Sequence, residues 1–211
     1  MTEQHTETDM FRIRSSHRQH GVTLIVVLLI LVVVTVLGIG GAQIALLGER
    51  STRYDRDYLI ASQAAEAALM DAEFDIRGPN TDAASRVATF NQTDTGLFVP
   101  GCGTSTATRG LCEANADNVK PVWATVDFLA SGNTAPTVEF GTYTGRVYDA
   151  GSTGIRSERR PRYIVELIDD AGPGGNAAGG KTDKMYRITS MGFGPRSDIQ
   201  VVMQIAFRKE K

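Results

Sequence analysis

Histidine is missing from nearly all of this chain. Its three histidines, His5, His17 and His20, stand upstream of an apolar run that begins at Val22, and none follows. Beyond that point a Ser-His-Asp or Cys-His nucleophile system and a His-ligated zinc or iron site are excluded. Cysteine is almost as scarce: Cys102 and Cys112 are the only two, and a zinc site built on them would need two further ligands with no histidine to supply them. Charge of one sign is not in excess either. A formal net charge of -2 gives no general attraction to nucleic acid or anionic lipid, so nucleic acid is not an expected partner. Catalysis by carboxylates alone stays possible, but no motif speaks for it, and the chain is expected to be a non-enzyme without cofactors. Its 211 residues allow one domain of ordinary size plus an extension rather than two large domains.

What the chain has is a long apolar run. From Val22 to Leu47 no charged residue occurs, and Gln43 is the one interior amide. As a helix the run would span about 39 Å, enough to cross a bilayer. A cleavable secretory signal has a shorter apolar core followed by a small-residue cut site, whereas this run passes directly into a charged segment. Upstream, RIRSSHRQHG carries Arg12, Arg14 and Arg18; downstream, Arg50, Arg53 and Arg56 lie at a similar distance. The positive-inside rule therefore leaves orientation undecided. On these residues alone an uncleaved single-pass anchor stands beside a processed one.

The stretch His17 to Leu29, HRQHGVTLIVVLL, resembles the type III signal of prepilins, a basic leader ending in glycine and followed by an uninterrupted apolar helix. The resemblance implies that a membrane prepilin peptidase cuts between Gly21 and Val22 and methylates the new N-terminus. Glycine suits the position because backbone without a Cβ can be drawn closely into a protease cleft. One residue departs from the family pattern. The fifth place after the cut, usually glutamate, is Val26. In the family that carboxylate neutralises the N-terminal amine of the preceding subunit, so a subunit lacking it is expected to enter first, at or near the tip. Gly38, Gly40 and Gly41 each weaken a helix by about 1 kcal/mol relative to alanine, so they mark either close packing or a stretch that loosens on assembly.

Beyond Gly48 the pattern becomes amphipathic, with Tyr54, Tyr58, Ala61, Ala65, Ala68, Ala72 and Ile76 recurring three or four places apart. The helix is expected to continue and to end at Gly78-Pro79, giving about 84 Å from Val22 to Arg77. SQAAEAALMDAE resembles the corresponding stretch of PilX-like minor pilins, as do GLC with the following Pro121-Val122-Trp123, and PRYIVEL, YRITSMGFG and IQVVMQIAF near the end. The likeness is weakest from about Thr81 to Ser157.

Past Pro79 a polar stretch has no decisive period. On an exported head, Cys102 and Cys112 would close one disulfide loop, contributing roughly 2–3 kcal/mol. Trp123 is read as a core or loop anchor. VEFGTYTGRVYD, PRYIVELID, KMYRITSMGFG and DIQVVMQIAFRK alternate and are rich in β-branched and aromatic residues. They predict an antiparallel sheet of about four strands, and the expected fold class is α+β: a long N-terminal helix, transmembrane then amphipathic, packed on that sheet. Expected segments are a leader 1–21, a transmembrane or filament-core helix 22–47, an amphipathic helix 48–78 and a head 79–211.

Three smaller features have bland readings. Asp169, Asp170 and Asp183 flank a glycine-rich connection without EF-hand spacing and make weak calcium candidates. Arg156, Arg159, Arg160 and Arg162 read as a solvated strand edge, and Gly192-Phe193-Gly194-Pro195 as a turn. The resemblance implies a minor pilin that helps start type IV pilus assembly, with twitching motility and adhesion as consequences. Its implied partners are the prepilin peptidase, other minor pilins, the major pilin, a large tip adhesin and the inner-membrane assembly platform. The implied course runs from an inner-membrane subunit with a periplasmic head to the extracellular pilus. The rivals are a minor pseudopilin of a type II secretion system, whose tip subunit also lacks the glutamate but usually has a large helical insertion, and an uncleaved membrane-anchored periplasmic binding domain.

Overall fold

The computed structural model describes residues 22–91, 95–116, 119–149, 153–169 and 184–209. The first element, α1, runs without interruption over Val22–Arg77. The chain divides into two compact units, Met1–Ser51 and Thr52–Lys211. In the first unit the described residues are all helical and nearly all exposed, including the bulky side chains from Val22 to Leu47. The helix is long and apolar enough to cross a membrane, and none of its most apolar stretch is buried.

The second unit holds the remainder of α1 and a five-stranded sheet. The strands are β1 (Leu111–Glu113), β2 (Val138–Glu139), β3 (Arg162–Asp169), β4 (Lys184–Phe193) and β5 (Gln200–Phe207). β3, β4 and β5 form an antiparallel meander. The outer edge of β3 is shared: β2 pairs antiparallel at Arg162 and Tyr163, and β1 pairs parallel along Val165 to Leu167. The sheet is thus mixed, where alternation predicted an antiparallel one. β1 went unforeseen because three residues are too few to display a period.

Alanines and one glycine bring α1 down onto the sheet. Ala61, Ala64, Ala65, Ala68, Ala72 and Ile76 are fully buried. A Cβ on Gly192 would run into the backbone of Ala61 and Ala65, so the absence of a side chain on β4 is what admits the helix. Ser190 Oγ donates to Ala65 O at 2.9 Å across the same contact. Under the helix, Ala68, Ala72 and Ile76 join Phe90, Phe98, Leu111, Val138, Tyr143, Tyr163, Val165, Tyr186 and Ile188 in the main core. The opposite face of the sheet, at Ile164, is covered by Cys102, Cys112, Val122 and Phe128. Helix, sheet and disulfide loop make three layers, and alternation along β3 sends Tyr163 and Val165 one way and Ile164 the other.

Three expectations change, and one open stretch takes a definite form. Tyr54 and Tyr58 are about half exposed, so the buried stripe begins at Ala61. Among the described residues the stretch after Pro79 is loop with a short 3-10 turn, Val87–Thr89. VEFGTYTGRVYD pairs as a strand only at Val138 and Glu139: Phe140 N still donates to Pro161 O at 3.0 Å, but the amide after it, Gly141, turns away to Asp71 Oδ2 at 2.8 Å. Gly192 and Phe193 close β4 rather than forming a turn, and Phe193 is buried. The helix stop is as expected: Gly78, at φ +78°, donates its amide to Phe74 O at 3.0 Å, an αL cap that only glycine adopts without cost.

Candidate functional site

The apolar half of α1 is the first candidate. Gly21 lies outside the described residues, and Val22 opens the helix. Val26 is on the exposed helix surface with 46% of its area accessible. From Val22 to Leu47 every side chain is uncharged, Thr35 returns its hydroxyl to Val32 O at 2.8 Å, and apart from Thr23 and Gln43 the surface is apolar. A Cβ on Gly38, Gly40 or Gly41 would touch nothing within 4 Å, so contacts inside the chain do not explain these glycines. A helix surface this apolar is incompatible with water and calls for lipid or protein around it.

The head is held by polar groups that periodicity did not single out. Asp75, fully buried on α1, receives Arg86 through Nε at 3.0 Å and Nη2 at 2.6 Å, and the Tyr163 hydroxyl at 2.8 Å. Arg86 also donates to Arg109 O at 2.7 Å and lies 3.7 Å from the Tyr143 ring centroid. Burial alone would lower the Arg86 pKa, but the Asp75 carboxylate outweighs it and the guanidinium is held above its ordinary value. Burial first, then the Asp75 charge, push the Tyr163 phenol well up, so it remains a neutral donor. One turn earlier, Asp71 accepts from Gly141 N and Thr144 Oγ1. Asp71 and Asp75 share the face of Ala68 and Ala72, and acids in an alanine stripe are the signal that could have revealed them. On β3, fully buried Glu166 takes Arg187 through two bonds of 2.7 and 2.9 Å.

The remaining sequence candidates fall as follows. Cys102 and Cys112 are joined in a disulfide. Trp123 is partly buried and packs against that disulfide layer. Asp169 pairs with Lys184 across β3 and β4, while Asp170 and Asp183 lie outside the described residues. Among the described residues no group of three or more His, Cys, Asp or Glu side chains could hold a metal ion. The arginine cluster is not uniformly solvated: Arg162 is buried, donates to Phe128 O at 3.2 Å and approaches Glu139 at 3.6 Å. Its pKa is lowered chiefly by that burial. Arg160 reaches Glu139 at 3.3 Å.

An exposed bilayer-length helix that continues into an alanine-faced helix on a sheet is the build of a membrane-anchored pilus subunit. Two family profiles match the chain: residues 20–69 match the PilX N-terminal profile, and residues 108–209 match the C-terminal profile of the type IV pilus assembly protein PilX. Together they cover most of the sequence, including 108–157, where likeness was expected to be weak. The chain belongs to the PilX family of type IV pilus components. No curated protein and no solved structure matches it. It is a pilus-associated, membrane-anchored minor pilin of a structural family, whose members interact with other pilus components.

Proposed function

We propose that this minor pilin enters the pilus first, in a tip-proximal complex that initiates assembly. The observation that carries the reading is Val26 within a helix surface that has no carboxylate before Glu49. An ionisable group inside a bilayer costs about 2.5 kcal/mol or more and is kept for a role. Without it the subunit lacks the means of docking its carboxylate on an N-terminal amine ahead of it, and a first subunit has none ahead. The leader 1–21 is removed by prepilin peptidase after Gly21, and Val22 becomes the methylated N-terminus. The 79–211 head faces the periplasm before assembly and the exterior afterwards. Other minor pilins, the major pilin, the assembly platform and a large tip adhesin are its partners, and twitching and adhesion follow from pili being made.

Membership of a secretion system is less well supported. Among the described residues the head has no α-helix beyond α1, leaving no counterpart to the large helical insertion of that system's tip subunit. Immunogold labelling of isolated pili tests the tip reading: label should gather at one end with the natural chain and move into the shaft with Val26→Glu. Even labelling of the natural chain along the shaft sinks it. Sequencing the membrane form should give methylated Val22, and an intact leader would overturn the processing step.

A further inference from the structure

β5 closes one side of the sheet, and among the described residues nothing pairs with its outer edge. The other side is occupied, since β1 and β2 share β3 and Val99 bridges β1. An open edge presents unsatisfied N–H and C=O groups, and proteins that keep such an edge to themselves blunt it with charge, proline, a bulge or shortness. β5 has none of these devices. It runs Gln200–Phe207 in unbroken register with β4, as QVVMQIAF. Val202 and Ile205 are 43% and 46% exposed.

The edge adjoins an apolar groove of about 310 Å³ lined by Leu69, Met70, Ile188, Ile205 and Phe207. Its charged lining residues are Glu66 and Glu73, of which Glu73 is paired with Arg77 at 2.7 Å. Glu66 is exposed and makes no ion pair among the described residues. Backbone edge, apolar trough and unneutralised carboxylate together describe the receptor half of strand addition.

We propose that β5 accepts an extended segment of another protein, apolar at alternate positions on the groove side and carrying a lysine or arginine that meets Glu66. A second copy does not fit. QVVMQIAF contains no cation for Glu66, and the Arg208 and Lys209 that follow it are already engaged within the chain, Lys209 Nζ donating to Val87 O at 2.8 Å.

The test uses the full chain in detergent micelles and a fluorescent peptide of alternating threonine and valine with one lysine in a valine position. Binding is expected by anisotropy, about tenfold weaker when glutamate replaces that lysine, and absent when alternate peptide amides are N-methylated. Glu66→Lys should reverse the charge preference. Met70→Lys, on the helix rather than the strand, should abolish binding while the circular dichroism spectrum is unchanged. The proposal is overturned if no lysine peptide binds, if the N-methylated peptide binds equally well, or if β5 proves occupied by a second copy.

Discussion

Asp75 and Arg86 show how much one ion pair organises in this head. The carboxylate is fully buried on α1, and the arginine that reaches it also holds the backbone of Arg109. Removing one partner strands the other charge, so Asp75→Asn or Arg86→Met should each cost about 3–5 kcal/mol, with the double variant losing much less than the sum. Denaturant melts of the head in detergent measure this, and additive losses would mean the pair does not act as a unit. The tyrosines divide similarly. Tyr163 donates to Asp75, whereas the buried Tyr186 hydroxyl has no partner among the described residues. Tyr163→Phe should therefore cost about 1.5–3 kcal/mol, and Tyr186→Phe should be neutral or stabilising. Burial raises the Tyr186 pKa to about 12 and that of Tyr163 well above the ordinary phenol value. Folded values above unfolded ones favour the protonated phenol, so this stability is complete below about pH 10 and is lost as pH rises toward and beyond 12. Phenolate absorbance from these two residues should thus appear together with loss of near-ultraviolet dichroism. Its appearance in a head that is still folded would contradict their burial.

At the scale of elements, the contact between α1 and β4 depends on small residues on both sides. Gly192→Ala would place a methyl against the Ala61 and Ala65 backbone, which cannot move as a flexible side chain can. It should cost about 1–3 kcal/mol by overpacking. Gly48→Ala, where a Cβ meets nothing, is the control and should leave the melt unchanged or raised. An equal effect of the two would disprove close packing at Gly192. This contact was only half legible beforehand. The alanine spacing announced a helix with a small-residue face, but the strand reading gave Gly192 to a turn. Glycine marks turns and close approaches alike, and only the packed partner tells them apart.

Across the whole molecule, the disulfide secures the layer that covers the sheet face away from α1. Cys112 is fully buried in β1, which is itself a strand of only three residues. Replacing both cysteines by serine should lower stability by about 2–3 kcal/mol and expose Trp123, which packs in the same layer. Trp123 fluorescence should shift to the red before the strands unfold. An unchanged spectrum in a destabilised head would show that the disulfide supports something other than this layer.

Local pattern alone specified the elements whose signal extends over many residues. These are the 56-residue helix with its glycine stop and the three long strands, since a 3.6 or 2.0 period accumulates over eight residues or more. It also determined the charge-free helix surface at Val22 to Leu47, where composition alone decides that the segment cannot remain in water. The parallel placement of β1, the burial of Arg162, the network on Asp75 and the open edge of β5 arise from long-range packing alone. Each of these depends on which distant segment supplies a partner. A buried arginine and a solvated one have the same side chain, and a strand's period does not say whether its edge is paired.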